Sequence, residues 1–74
     1  MTPENITHQA QEFSHDLTSM LCLNDGPTWR SKARALLKRF KEFEAQVRRE
    51  NGDAAWTSAS RGLNIRIERL KKRV

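Results

Sequence analysis

Three stretches of the chain repeat apolar residues at steps of three and four, and two short turn sequences separate these stretches. Steps of three and four place side chains on one face of an α-helix. The turn sequences, NDGP at residues 24–27 and NG at residues 51–52, contain the residue types that end helices and start new ones. The pattern therefore predicts a single helical domain over residues 1–74, with helices at about residues 3–23, 27–50 and 54–73.

Each predicted helix carries one apolar stripe that must be buried. The stripes consist of Ile6, Ala10, Phe13, Leu17 and Met20 in the first helix, of Trp29, Ala33, Leu36, Phe40, Phe43 and Val47 in the second, and of Trp56, Ala59, Leu63, Ile67, Leu70 and Val74 in the third. Both tryptophans lie on the stripes, so we expect them in the core. Short connections make neighbouring helices antiparallel. The expected fold is all-α, a small antiparallel three-helix bundle; the alternative is a helical hairpin that forms a homodimer, with the N-terminal helix docked or swapped.

Local signals mark the ends of the predicted helices. Thr2 is the expected cap of the first helix, and Pro3 suits its first position. Asp53 is the expected cap of the third helix. Gly62 falls inside that helix, where glycine costs about 1 kcal/mol relative to alanine. It marks a close helix contact, a hinge or a tolerated surface position.

Charge is divided unevenly along the chain. All fourteen Lys and Arg residues lie within residues 30–74, whereas residues 1–28 carry four carboxylates and no Lys or Arg. Such asymmetry suggests a polyanionic partner, or the shielding of one part of the chain by another. Whether the acidic first helix covers the basic residues of the second is left open.

Five basic residues of the second predicted helix lie on one side of it, away from the apolar stripe. This set, the basic ridge, consists of Arg30, Arg34, Lys38, Lys41 and Arg48. Positive charges near a helix N-terminus oppose the macrodipole, and like charges four residues apart repel each other. No Asp or Glu lies between Gly26 and Lys41 to offset them. The pattern indicates a helix that meets an anion, either the first helix or an external partner.

A second basic set lies on the outer face of the third predicted helix, where an isoleucine interrupts the bases. Its members are Arg61, Ile65, Arg69 and Lys72. Cations near a helix C-terminus are favourable, so the last bases also help to end the helix. An apolar side chain within a basic surface is the composition expected of a protein-binding surface. We therefore take these residues, with the ridge, as candidate binding residues.

His8, Glu12 and His15 follow one another at steps of four and three on the polar face of the first predicted helix. This spacing allows two imidazoles and a carboxylate to chelate a divalent metal, or to act as acid and base. The polar face of an amphipathic helix carries such residues by default, and the chain has no further histidine. We therefore expect no catalytic residue, no metal and no cofactor, and ion pairs between these side chains and the basic helices.

Cys22 is the single cysteine of the chain, so no disulfide can form within it. A lone thiol is typical of a reducing compartment. No signal sequence is evident at the N-terminus, and no stretch reaches the roughly 18 apolar residues of a membrane-spanning helix. We therefore expect a cytoplasmic protein that makes no contact with a membrane.

Two functions from different classes fit these features. The first is a small non-enzymatic regulatory binding protein that uses its basic helical surface to associate with nucleic acid. The second is a protein–protein inhibitor or regulator of the phage or mobile-element type, which binds a host protein or repressor through the same surface. The sequence contains no zinc-finger spacing and no glycine-flanked phosphate loop. The expected partner is nucleic acid or an acidic protein surface, and the clustering of the bases favours nucleic acid.

Overall fold

A computed structural model describes residues 2–22 and 26–74 of the chain. All regular secondary structure in these residues is α-helical, which confirms the predicted all-α class. Four helices occur there instead of the predicted three. They are α1 (Pro3–Cys22), α2 (Pro27–Asn51), α3 (Asp53–Ser60) and α4 (Asn64–Arg73). The predicted end of the first helix at residue 23, and the turn residues 24 and 25, lie outside the described residues.

Local signals place most of the helix ends correctly. Thr2 Oγ1 accepts a hydrogen bond from the Asn5 backbone N–H at 3.2 Å, so Thr2 caps α1 as predicted. Pro27 is the first residue of α2, where its missing N–H costs nothing. α2 ends against Gly52, which has a φ of 90° that residues with a Cβ rarely adopt. Asp53 is not the cap of α3, as predicted, but its first residue, and Gly52 occupies the cap position without a side-chain hydrogen bond.

The predicted third helix is divided into α3 and α4 by a tight turn at residues 61–63. The Leu63 N–H donates to the Ser60 carbonyl, three residues back, at 2.9 Å, which is the bond of a 3₁₀ turn. Gly62 lies in this turn, and a Cβ built there meets no atom within 4 Å, so it marks no close helix contact. Ala59 of the predicted stripe is half-buried and packs against the core, and Ser60, which the stripe does not include, is buried beside it.

α1 runs parallel to α4, and α2 runs antiparallel to both. Arg66 Nη1 donates to Ser14 Oγ at 2.6 Å, and Arg73 Nη1 donates to the Leu21 carbonyl oxygen at 2.9 Å. Since both partners advance along the chain together, α1 and α4 point the same way. The start of α2 lies beside the end of α1, through a bond from Trp29, so α2 points the opposite way.

A single hydrophobic core fills the space between the helices. Four rings stand at its centre, Phe13, Phe40, Phe43 and Trp56, and the contacting pairs have centroids 5.2 to 5.5 Å apart. Edge-to-face and offset contacts at this distance are favourable for aromatic rings. The buried apolar residues among those described are Ile6, Phe13, Leu17, Met20, Trp29, Ala33, Leu36, Phe40, Phe43, Val47, Trp56, Leu63, Ile67 and Leu70. Both tryptophans are thus in the core, as predicted.

The C-terminal end of α1 is held by side chains from α2 and α4. Trp29 Nε1 donates to the Met20 carbonyl oxygen at 2.9 Å, beside the bond from Arg73 to the Leu21 carbonyl. Carbonyls of a last helical turn have no partner within their own helix, and these two bonds satisfy them. The Arg73 guanidinium also lies 4.9 Å from the centroid of the Trp29 ring. α1 has no basic residue in its last turn, so the positive charge that favours this helix end comes from α4.

Candidate nucleic-acid interface

All five side chains of the basic ridge on α2 are exposed. Lys38, Lys41 and Arg48 line a groove of about 660 Å³ between α2 and the pair α3–α4. Arg30, at the start of the ridge, lines a second groove together with Arg73 from the end of α4. The N-terminal part of the ridge therefore lies next to the basic end of α4.

Within residues 2–22 and 26–74, ion pairs compensate only the C-terminal end of the ridge. Arg48 Nε lies 3.0 Å from Glu44 Oε2, and Arg48 Nη1 lies 3.2 Å from Asp53 Oδ1. No carboxylate of the described residues forms an ion pair with Arg30, Arg34, Lys38 or Lys41. The first four bases of the ridge therefore form no ion pair with a described carboxylate over about 16 Å of helix, and Glu44 and Glu68 line the groove beside Lys38 and Lys41.

The acidic first helix does not cover the ridge. Glu12 and Asp16 of α1 line the opposite flank of α2, beside Arg39, and Asp16 also lies beside Lys32. Neither base belongs to the ridge. Over residues 2–22 and 26–74, no carboxylate of α1 forms an ion pair with a Lys or Arg. The expected ion pairs between α1 and the basic helices are therefore not formed among the described residues: Glu12 and Asp16 lie beside Arg39 and Lys32 without pairing with them.

The second basic set lies on the surface. Its exposed members are Arg61, Ile65, Arg69 and Lys72. The Ile65 side chain is 65% exposed, and no other large apolar side chain in the described part of the chain is exposed. Glu68, one residue before Arg69, pairs with Lys71 at 3.6 Å. The outer face of α4 therefore keeps most of its positive charge.

Two arginines of α4 contact α1 instead of forming part of the basic surface. Arg66 bonds to Ser14, and Arg73 bonds to Leu21, as given above. Their spacing of seven residues is a signal that they share a helix face beside the apolar stripe. The sequence does not tell which neighbouring helix this face meets, because that depends on the packing of the whole chain.

The candidate metal ligands of α1 are not brought into one site. His8 Nε2 lies 3.0 Å from Glu12 Oε1, and both side chains are largely exposed. Within the described ranges, no three His, Cys, Asp or Glu side chains are close enough together to hold a metal ion. His15 therefore does not join His8 and Glu12 around a common point.

No protein-family model, curated protein or solved structure matches the chain. In the described part of the chain, no helix combines the length and the apolar character that crossing a membrane requires. Function is therefore inferred from the charges and contacts of the surface.

Proposed function

We propose that the protein is a small non-enzymatic regulatory binding protein that associates with nucleic acid through the N-terminal part of the basic ridge. The observation that carries this proposal is the row of four exposed bases from Arg30 to Lys41, none of which forms an ion pair with a described carboxylate. Duplex DNA carries one phosphate charge per roughly 1.7 Å of axis, so a row of about 16 Å spans several phosphates. Each phosphate that is neutralised releases counterions, and this release supplies affinity without any contact to the bases.

The local electrostatics of α2 support an external anion. Bases in the first turns of a helix oppose its macrodipole and repel one another, each effect costing a few tenths of a kcal/mol. α2 has no acid in its first turn, and the acids of α1 lie on its other flank. A phosphate backbone against the ridge relieves both effects at once.

We further propose that the chain acts in the cytoplasm as a monomeric bundle in which α3 and α4 together take the place of the predicted third helix. The lone thiol of Cys22 is exposed, which is compatible with a reducing compartment. The aromatic centre of the core joins α1, α2 and α3 within one chain, which favours a monomer over the dimeric hairpin.

Two double substitutions on opposite flanks of α2 test the proposed function. Arg34→Gln with Lys38→Gln removes two charges from the ridge, and Lys32→Gln with Arg39→Gln removes the same charge from the flank beside α1. In titrations with a short duplex DNA, we expect the ridge variant to bind about tenfold more weakly than wild type and the flank variant to change by less than about twofold. Thermal unfolding of both variants controls for stability, because Arg39 also lies 5.6 Å from the centroid of the Phe13 ring.

Equal losses in the two variants would mean that only net charge matters, and would remove the ridge as the site. The alternative function, a regulator that meets an acidic protein through the same surface, predicts a different result. In that case the wild-type protein binds neither DNA nor RNA at moderate salt, and a complex captured through the ridge survives nuclease treatment.

A further inference from the structure

All the phenylalanine and tryptophan rings of the chain lie in the hydrophobic core, and the chain contains no tyrosine. They are the rings of Phe13, Trp29, Phe40, Phe43 and Trp56. Each of these residues is at most 6% exposed. Four of the rings contact one another, and Trp29 is held by its hydrogen bond to the Met20 carbonyl oxygen. The surface beside the ridge therefore offers no such ring on which a nucleic-acid base can stack.

A surface without stacking rings disfavours a single strand more than a duplex. Proteins that bind single strands place aromatic side chains under successive bases, and each stacked base contributes a factor of about 5 to 150 in affinity. In a duplex the bases already stack on one another, so a ring on the protein surface would add little. At the ridge, a single strand is therefore held by its phosphates alone.

Contacts to phosphates also favour the duplex. Its two strands together present one charge per roughly 1.7 Å of axis, whereas one strand presents one per about 3.4 Å. For each phosphate that is neutralised, log K falls with log salt by about 0.9 for B-form DNA and by about 0.7 for a single strand. With four contacts, this difference gives the duplex about sixfold higher affinity at about 0.1 M salt, when both forms bind equally at about 1 M.

The first four bases of the ridge form a straight row on a helix that the core holds in place. They alternate along α2 with the buried residues Ala33, Leu36 and Phe40. Their steps of four, four and three residues correspond to about 6, 6 and 4.5 Å along the helix. A duplex has a persistence length of about 50 nm and is straight over this distance. A single strand is flexible, and its ordering along the row costs entropy that the duplex does not lose.

We propose that the nucleic acid bound by the ridge is double-stranded. This inference rests on the proposed function and names the form of its ligand. Arg30, Arg34, Lys38 and Lys41 contact phosphates along one side of the duplex, whose bases keep their pairing and stacking. A single strand is the poorer ligand, because it gains no stacking, presents fewer charges and loses more entropy.

Titrations with two forms of one DNA sequence test this proposal. The probes are a duplex of about 16 base pairs, roughly 54 Å long, and one of its strands, chosen so that it does not pair with itself. At about 0.1 M salt, we expect wild type to bind the duplex about sixfold more tightly than the strand. The slopes of log K against log salt should be about −3.6 for the duplex and about −2.8 for the strand.

A ring added to the surface gives a matched pair of variants. Ser31 is exposed, and it lies three residues before Arg34 and seven before Lys38, beside the ridge. Ser31→Trp should strengthen binding of the strand about tenfold and of the duplex by less than about twofold, because only unstacked bases can use the ring. Ser58→Trp is the control, since Ser58 is exposed but lines a groove that α1 forms with α3 and α4. It should change neither affinity by more than about twofold, and thermal unfolding checks that both variants fold.

The possible failures of this inference and of the proposed function are distinguishable. A strand that binds wild type as tightly as the duplex, and binds Arg34→Gln with Lys38→Gln more weakly, would overturn the inference and leave the proposed function in place. Unchanged affinity of the strand for Ser31→Trp would also overturn the inference, because the missing ring would then not limit binding of a strand. Binding of neither form to wild type would overturn the proposed function and the inference together.

Discussion

Gly52 and Gly62 differ in whether their backbone conformation requires glycine. Gly52 has a φ of 90°, in a region that side chains with a Cβ rarely adopt. Gly62 has no positive φ and open space where a Cβ would stand. The backbone therefore requires glycine at position 52, whereas at position 62 glycine only lowers the helical propensity of the α3–α4 turn.

Alanine substitutions at these two glycines should change stability in opposite directions. We expect Gly62→Ala to raise the free energy of unfolding by about 0.5–1 kcal/mol, since it reduces the entropy of the unfolded chain and favours helix. Gly52→Ala should lower it by about 1–3 kcal/mol, since alanine is strained at that φ. Urea unfolding followed by circular dichroism measures both values. Changes of the same sign would contradict the assignment.

At the scale of the helices, α1 depends on its neighbours at its C-terminal end. Its last carbonyls accept hydrogen bonds from Trp29 of α2 and Arg73 of α4, and α1 supplies no base of its own there. Arg66 makes a further bond to Ser14 in the middle of α1. The position of α1 in the fold therefore depends on side chains of α2 and α4, and the residues of α1 alone do not determine it.

Trp29→Phe tests this docking. Phenylalanine keeps an aromatic ring but cannot donate to the Met20 carbonyl, so we expect a loss of about 1–3 kcal/mol in the free energy of unfolding. Amide hydrogen exchange should also become faster in the last turn of α1, since that end loses a hydrogen bond to α2. Ser31→Ala, at an exposed position of α2, should change stability by less than about 0.5 kcal/mol. A Trp29→Phe protein as stable as the Ser31→Ala protein would disprove the role of this bond.

The helix boundaries that rest on local chemistry were predictable from the sequence. Thr2 caps the start of α1, Pro27 suits the first turn of α2, and Gly52 has the backbone freedom that the end of α2 requires. The start of α1 and both ends of α2 are therefore close to where expected. The division of the third helix was predicted only as one of three interpretations of Gly62, that of a hinge. The Leu63 N–H bonds three residues back, and Ser60 is buried while Ala59 is half-buried against the core, which helical spacing alone does not predict.

The candidate site was predictable only in part, for a similar reason. Helical spacing groups Arg30, Arg34 and Lys38 on one side of α2, and the structure exposes all three. Spacing within one helix cannot tell which neighbour borders that side. Only the arrangement of the helices shows that Asp16 of α1 lies beside Lys32, on the other flank.

At the scale of the whole molecule, the acidic and basic parts of the sequence meet along α2, and its two flanks differ in the carboxylates that lie near their bases. The flank towards α1 has carboxylates close to its bases. The flank towards α4 carries the ridge, where Arg48 is paired with carboxylates of the described residues and Glu44 and Glu68 line the groove beside Lys38 and Lys41. We expect a polyanion to be attracted most strongly to the N-terminal part of the ridge, where no carboxylate of the described residues pairs with Arg30 or Arg34.

The exposed surface predicts a monomer. Ile65 is the one large apolar side chain that is exposed among the described residues, and a lone exposed side chain is too small for the apolar core of a stable homodimer. Sedimentation equilibrium should give the chain mass of 8.6 kDa. A mass of about twice that value would support the dimeric hairpin instead.

The most direct test of the central claim is the salt dependence of duplex DNA binding by three proteins: wild type, Arg34→Gln with Lys38→Gln, and Lys32→Gln with Arg39→Gln. If the four ridge bases from Arg30 to Lys41 each meet a phosphate, log K should fall with log salt at a slope of about −3.6 in wild type. The ridge variant should give a slope of about −1.8, and the flank variant should keep the wild-type slope. A wild-type slope near zero, or equal slopes in the two variants, would contradict binding through the ridge.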